Sequence, residues 1–210
     1  MPRGLARDHE DKRAAIRKGA AAYFAANGFD RASMAGAAQA CGVSKALLYH
    51  YHASKEALLF DILDTHLSAL VTVVGDVDVS DPERRLRALL RAILDAYRDA
   101  DAEHKLQLEA LAALSSDQQA PLIAAQRQLV ATLSGAIETV QPGLPPMQVR
   151  PLTMSVFGML NWFYMWHRPG RGIDREAYAD LVADMVLGGL PKVVAQGHPI
   201  AGAGPGTTIR

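Results

Sequence analysis

The chain has 210 residues, half of them hydrophobic and about a fifth charged, a balance ordinary for a soluble protein with one large or two small cores. Its single cysteine, Cys41, excludes an intrachain disulfide, and the N-terminal stretch MPRGLARDHEDKR lacks the apolar middle of a secretory signal. No unbroken apolar run reaches the ~18 residues of a membrane span, so a cytoplasmic protein without a membrane partner is expected. The formal net charge of zero conceals an asymmetry. Residues 1–60 carry nine Lys/Arg against five acids, and the remainder carries thirteen against seventeen. A basic front and an acidic back point the front half at a polyanion.

Taken in chain order, the pattern is helical throughout. From Asp11, the residues Ile16, Ala20, Tyr23 and Phe24 recur at helical spacing, and Gly28 supplies a left-handed stop. Ser33 caps a short helix to Ala40, Gly42 turns the chain, and Ser44 opens another helix to Tyr51. Ser54 caps a long helix with Leu58, Leu59, Ile62, Leu63, Leu67 and Leu70 on its apolar side. Asp81 and Pro82 restart the pattern with the stripe Leu86, Leu89, Leu90, Ile93, Leu94, Tyr97, and a shorter stripe follows at Leu106, Leu108, Leu111 and Leu114. A further helix ends at Pro142-Gly143. The next runs through MSVFGMLNWFYMW and stops at Arg168-Pro169-Gly170. Asp174 caps the last, which Gly188-Gly189 and Pro191 are expected to end. The expected fold is all-α with about nine helices: a three-helix N-terminal domain over 1–53, a helical bundle over 54–190 and a disordered Gly/Pro-rich tail over 191–210.

Two short helices joined by Cys41-Gly42-Val43 have the form of a helix-turn-helix, a form that αα-corners without DNA also share. The segment SMAGAAQACGVSKALLYHYHASKEALL resembles the DNA-binding segment of the tetracycline-repressor (TetR/AcrR) family of bacterial regulators. That family's usual form is roughly T-x-x-x-I-A-x-x-A-G-V-S-x-x-x-L-Y-x-Y/H-F-x-x-K-E-x-L. The resemblance covers residues 10–65, beyond which it lies in helix count and length. It implies that Tyr49 and Lys55 contact the DNA backbone and that the last two helices form a four-helix dimer interface with their symmetry mates.

The residues themselves support a reading face. At ~100° per residue from Leu48 as the core reference, Ala46 and His50 fall near the opposite pole, with Leu47 and Tyr49 on the flanks. Lys45, Ala46, Leu47 and His50 are the expected base-reading set: a lysine donates to guanine O6/N7, small or apolar groups pack on a thymine methyl, and a histidine donates or accepts. Ser33, Ser44, Tyr49, Tyr51 and Lys55 are the expected phosphate-binding set. His52 stands where the family has phenylalanine, on the inward side. Two readings are open for it, plain packing and a proton-sensitive joint.

Metal binding by His50 and His52 is disfavoured, because residues two apart diverge by ~200° on a helix, and no metal site or cofactor is expected. No catalytic motif occurs: G-x-S-x-G, H-E-x-x-H and the Walker lysine are all absent, and the other histidines are scattered. The helix MSVFGMLNWFYMW is apolar nearly all round, so it must be covered on every side. Leu94, Tyr97, Leu111, Met154, Phe157, Trp162, Trp166 and Arg168 are the expected ligand pocket. Phe163, Tyr178, Leu181, Val182 and Met185 are the expected dimer interface. The stretch LNWFYMWHRPGRG is similar to TetR-type regulators of fatty-acid, aromatic-acid or sterol breakdown, which implies an acyl-CoA or an aromatic acid as effector. The expected protein is not an enzyme. It is a homodimeric repressor released from a near-palindromic double-stranded DNA operator by a hydrophobic small molecule. The competing reading is a helical interaction module, or an enzyme, with a vestigial DNA-binding domain.

Overall fold

The computed structural model describes residues 3–168 and 170–196, with side chains described for 9–168 and 170–194. Among the described residues there are nine α-helices and one 3-10 turn, with no strand beyond an isolated bridge between Arg168 and Arg171. The first four helices are α1 (Arg3–Asn27), α2 (Met34–Ala40), α3 (Lys45–Tyr51) and α4 (Lys55–Gly75). The others are α5 (Pro82–Ala96), α6 (Asp101–Glu109), α7 (Ser116–Val140), α8 (Pro146–Trp166) and α9 (Arg175–Gln196). The fold is therefore all-α, as the periodicity demands.

The helix starts follow local chemistry. Ser33, Ser44 and Ser54 each accept a hydrogen bond from the backbone three residues on, at 3.0–3.1 Å, satisfying one of the amides that a helix start leaves open. Asp81 does the same for Arg84 and Asp174 for Ala177, both at 2.8 Å. Between α2 and α3 the chain leaves the helix through Gly42, whose φ of +66° suits a residue without Cβ. Val43 N donates to Ala38 O and Gly42 N to Gln39 O, the paired closure of a Schellman turn. That turn fixes the angle between the two short helices.

The core is continuous from end to end. Ile16, Ala20 and Phe24 of α1 meet Ala37 of α2, Leu48 of α3 and Leu58, Leu59 and Ile62 of α4, all at most 1% exposed. The α4 stripe and the α5 stripe are buried in full, including Tyr97 just past α5. At 21 residues α4 is long and apolar enough to cross a membrane by composition, but its apolar side packs into this core. Arg87 and Arg91 of α5 clamp α9 through Asp180, with Arg91 Nε 2.7 Å from Asp180 Oδ1.

Three boundaries differ from the sequence expectation. The first helix begins at Arg3, two turns before Asp11. The Leu106–Leu114 stripe is not one helix: α6 ends at Glu109 and a 3-10 turn over Leu111–Ala113 follows, leaving Leu108 about half exposed. The last helix passes through Gly188, Gly189 and Pro191 to Gln196, so residues 191–196 of the expected tail are helical. An interior proline removes one backbone bond, whereas the last turns gain a fully buried Leu190 and a half-buried Val193 and Val194. Residues 197–210 lie outside the described residues.

One close approach sets the crossing of α1 and α2. A Cβ added at Gly36 would fall within contact distance of the Tyr23 hydroxyl and ring. Gly36→Ala is therefore expected to destabilise the chain by about 1–3 kcal/mol in urea or thermal unfolding, with DNA binding reduced because α2 carries the turn into α3.

Candidate functional site

The short helix α3 is held by one residue. Leu48 is fully buried against α1 and α4, and this places Lys45, Ala46 and His50 on the exposed side, with Leu47 half-buried. Tyr49 is 43% exposed and carries the Lys45 ammonium 5.8 Å above its ring, a loose cation–π contact that keeps both at the front of the helix. His50 stands edge-on to Tyr51, and Tyr51 is half-buried with its ring against His9 of α1. Ser33 and Ser44 are exposed. Their oxygens accept from the backbone, which leaves each hydroxyl proton free to donate to a phosphate oxygen. All these groups lie at one end of the molecule.

Lys55 is placed differently from the expectation. Its Nζ donates to the carbonyls of Phe29, Asp30 and Ala32 at 2.9, 3.3 and 3.1 Å and lies over the Phe29 ring. An ammonium has three protons, and all are taken by the turn after α1. The side chain ties α4 to that turn instead of reaching outward.

Just behind α3, His52 is 4% exposed with Nε2 at 3.8 Å from an Asp61 oxygen. The same carboxylate accepts from Arg13 at 2.6 and 3.2 Å and from Arg17 at 3.4 Å. Burial pushes the His52 pKa down, Asp61 opposes this, and Arg13 and Arg17 reinforce it. The inward turn of His52 agrees with the helical geometry. Cys41 packs against Gly19, with burial raising its thiol pKa, so it is a filler at the turn.

A second constellation lies in the larger half, and sequence spacing gave no sign of it. His66 of α4 (7% exposed), Tyr97 after α5 (4%) and His104 of α6 (1%) form a stack, with ring centroids 6.0 Å apart for His66–Tyr97 and 4.1 Å for Tyr97–His104. Tyr97 donates to Asn161 Oδ1 at 3.0 Å, and His104 Nε2 lies 3.3 Å from the Asn161 carbonyl. A carbonyl only accepts, so Nε2 carries the proton and Nδ1 is left as an acceptor. His104 Nδ1, His66 Nε2 and Gln107 Oε1 are buried without a hydrogen-bond partner. Burial holds both histidine pKa values down at about 4; His104 and then Lys18 add to the effect at His66 while Gln107 opposes it, and at His104 the Asn161 carbonyl and Asp101 oppose burial while Arg175 adds to it.

Beside the stack opens a cavity of about 210 Å³. Leu108, Leu129, Val130, Met154 and Phe157 give it apolar walls, and Tyr97, Gln107, Gln126 and Asn161 supply its polar groups. Tyr97, Met154 and Phe157 are thus brought together as expected. The other expected pocket residues are not. Leu94 is buried in the core and Leu111 packs in the 3-10 turn. Trp162 is 59% exposed, Trp166 packs on Tyr178 and Phe163, and Arg168 is exposed with its guanidinium on the His167 carbonyl. A helix apolar all round suggests a buried tryptophan, but α8 turns these two outward.

The expected interface residues also divide. Phe163 and Val182 are fully buried within the chain and cannot reach a partner, whereas Leu181 and Met185 are 46% and 58% exposed. Tyr178 is half-buried between Phe163 and Trp166. On α8, Met154, Gly158, Trp162 and Met165 continue the exposed face. The helical period could not tell the inner face of α9 from the outer, since both carry apolar residues. At the other side of the bundle, Lys105 of α6 donates to the Ala25 carbonyl at the end of α1, at 2.9 Å.

Comparison with known proteins covers both halves of the chain. Residues 16–62 match the family described as bacterial regulatory proteins, tetR family, and residues 79–190 match the tetracyclin repressor-like C-terminal domain. The chain is similar to the solved structure of a TetR-family transcriptional regulator from Bordetella parapertussis, with 34% identity, 83% of this chain and 93% of that one covered, and a TM-score of 0.80. It is similar also to AibR, solved in complex with isovaleryl coenzyme A and operator DNA, at 30% identity, 83% and 97% coverage and a TM-score of 0.71. A curated transcriptional regulator of Mycobacterium tuberculosis, MftR, is 36% identical over 84 residues, which are 40% of this chain and 41% of MftR.

Two outcomes follow from the geometry. Lys55→Met is expected to lower stability in urea by about 1–3 kcal/mol, since it strands three carbonyls, two of them partly buried, while Lys45→Ala leaves stability within ~0.5 kcal/mol. Stability is also expected to fall with acid. The unfolded chain protonates its histidines near pH 6.5, whereas folded His66 and His104 resist until about 4. Their stabilising share is complete above pH 6.5 and declines as pH falls towards 4, by roughly 2 kcal/mol each at pH 5. Urea midpoints measured between pH 7.5 and 5 check the slope, which His104→Asn flattens.

Proposed function

This chain belongs to the tetR family of bacterial regulatory proteins, and on that premise we propose that it is a homodimeric repressor released from its operator by a hydrophobic small molecule. The observation that carries the reading is the outward face of α3, where Lys45, Ala46, Tyr49 and His50 stand exposed on a helix pinned by Leu48. An α-helix of this kind fits a major groove ~12 Å wide, with Lys45 at guanine O6/N7, Ala46 and Leu47 at thymine methyls and His50 at a neighbouring base edge. Ser33, Ser44, Tyr49 and Tyr51 position the helix on phosphates. Residues 1–53 form the reading head in this scheme, and 54–190 hold the effector and the partner.

The exposed apolar faces of α8 and α9 support a two-fold partner. Trp162, Met165, Leu181 and Met185 each leave about half of a large apolar side chain in water, surface that a partner would cover. A reading dimer of this kind needs its two α3 helices on one side, ~34–36 Å apart, to match one turn of a near-palindromic operator. Release is a population shift: an effector that favours a dimer with mismatched heads by ~1–3 kcal/mol weakens binding 5- to 150-fold. The isovaleryl coenzyme A held by AibR supports an acyl-CoA as effector, ahead of a free aromatic acid.

A gel-shift titration on the chain's own promoter region at ~100 mM salt tests the reading. A sequence-selective shift that Lys45→Ala weakens, and derepression of a reporter in a deletion strain, are expected; binding indifferent to sequence, or loss of expression on deletion, would refute it. Met185→Glu is expected to yield monomers in light scattering and at least ~tenfold weaker operator binding, because half of the phosphate contacts are lost.

A further inference from the structure

The cavity beside the histidine stack is unusual for what its wall lacks. Among the described residues that line it none is charged. The buried histidines behind Tyr97 are neutral, since their pKa values lie at about 4, so they supply no cation at neutral pH. A carboxylate or phosphate placed there would lose its water and meet no opposite charge, at a cost that exceeds what neutral donors return. Of the polar groups that remain, Gln126 can both donate and accept, and the others have a definite sense. Gln107 Oε1 on the wall is a buried acceptor with no donor at full hydrogen-bonding distance, its one polar neighbour being His66, and the Tyr97 oxygen, whose proton goes to Asn161, presents lone pairs only. Asn161 has its oxygen occupied by Tyr97, which leaves its amide nitrogen as a donor. A buried acceptor without a partner is costly in the empty protein, so a ligand that donates to it gains that cost back.

Size and shape narrow the class further. At about 210 Å³ the cavity is somewhat larger than the ~150 Å³ engineered cavity known to take benzene, and so holds one ring or a short branched chain. Leu129 and Phe157 form the buried floor, while Leu108 and Met154, each about half exposed, flank the mouth. The body of the ligand must therefore be apolar, and its hydrogen-bonding group must sit at the inner end.

We propose that the group recognised in this cavity is an uncharged, hydroxyl-bearing apolar unit of about one ring in size, donating to Gln107 and accepting from Asn161, and that carboxylates are rejected. The assignment rests on the reading of the chain as an effector-controlled regulator, and it names the chemistry of that effector's buried end. The unit comes either as a free alcohol or phenol, or as the hydroxylated acyl end of a thioester whose charged part stays outside. In both cases the hydroxyl proton satisfies the stranded Gln107 oxygen.

Calorimetry on the full chain with three probes of one size tests the assignment: 4-ethylphenol, ethylbenzene and 4-ethylbenzoate. The phenol is expected to bind at least ~tenfold more tightly than the hydrocarbon, the worth of about one hydrogen bond, and the benzoate not at all. Gln107→Leu is expected to keep the folded helical content, because it removes an unsatisfied buried group, and to bring the phenol down to the affinity of ethylbenzene. Equal binding of phenol and hydrocarbon, binding of the benzoate as tight as that of the phenol, or binding of none of the three overturns the assignment. The pair 3-hydroxybutyryl-CoA and butyryl-CoA tells the sources apart. A preference for the hydroxylated thioester over 4-ethylphenol identifies an acyl end, the reverse identifies a free alcohol, and tighter binding of butyryl-CoA than of its hydroxylated form again overturns the proposal. Anisotropy of labelled operator keeps the two readings separate. A hydroxyl preference without loss of operator affinity defeats the effector reading alone, and release by the benzoate defeats the cavity chemistry alone.

Discussion

The carboxylate of Asp61 holds the reading head to the rest of the molecule. It stands on α4, accepts two hydrogen bonds from Arg13 and one from Arg17 of α1, and lies beside His52 at the end of α3. Three helices are thereby referred to one charged group that is itself mostly buried. Such a group costs energy to remove from water, and a fork of guanidinium donors offsets that cost only in a narrow geometry. The contact therefore does more for orientation than for net stability. It fixes where α4 leaves the head, and Lys55, six residues earlier on α4, fixes the other side through three carbonyls of the turn after α1.

Much of this was legible in the sequence, for physical reasons that differ by element. Caps are local: Ser33, Ser44, Ser54, Asp81 and Asp174 each satisfy an amide three residues on, so the residue type and its place before an apolar stripe suffice. The opposite addresses of His50 and His52 follow from helical rotation alone. The family resemblance pointed to the same fold, and the all-α architecture agrees with it. What escaped was non-local. His66, His104, Gln107 and Asn161 come from three helices and share no spacing, so only the packed bundle reveals them as one polar cluster. Phe163 and Val182 lie inside the chain and not at a partner's surface; an apolar stripe does not say which neighbour covers it. Pro191 misled in another way, since its local cost is outweighed by the burial of Leu190.

The two constellations share α4. Lys55 and Asp61 stand at its head end and His66 lies eleven residues from Lys55, three turns or ~16 Å along a single rigid helix. A shift that repacks His66 against Tyr97 and His104 cannot be absorbed within such a helix. It must tilt or translate the whole element, and the Asp61 contacts move with it. Domain motion of this kind needs two discrete packings, which a polar stack with unsatisfied atoms supplies more readily than a fully interdigitated apolar core.

The bond from Lys105 to the Ala25 carbonyl places α6 in the same circuit from the opposite direction. His104 and Gln107 face the stack and the cavity, while Lys105 between them grips the end of α1. Linkage is symmetric in free energy, so whatever factor the effector imposes on operator affinity, the operator imposes on effector affinity. On the proposed scheme, a dimer seated on its operator is thus a poorer sensor than a free one. The same scheme makes the concentration of effector at which genes respond depend on how many operator copies and how much free protein the cell contains, as well as on the cavity itself.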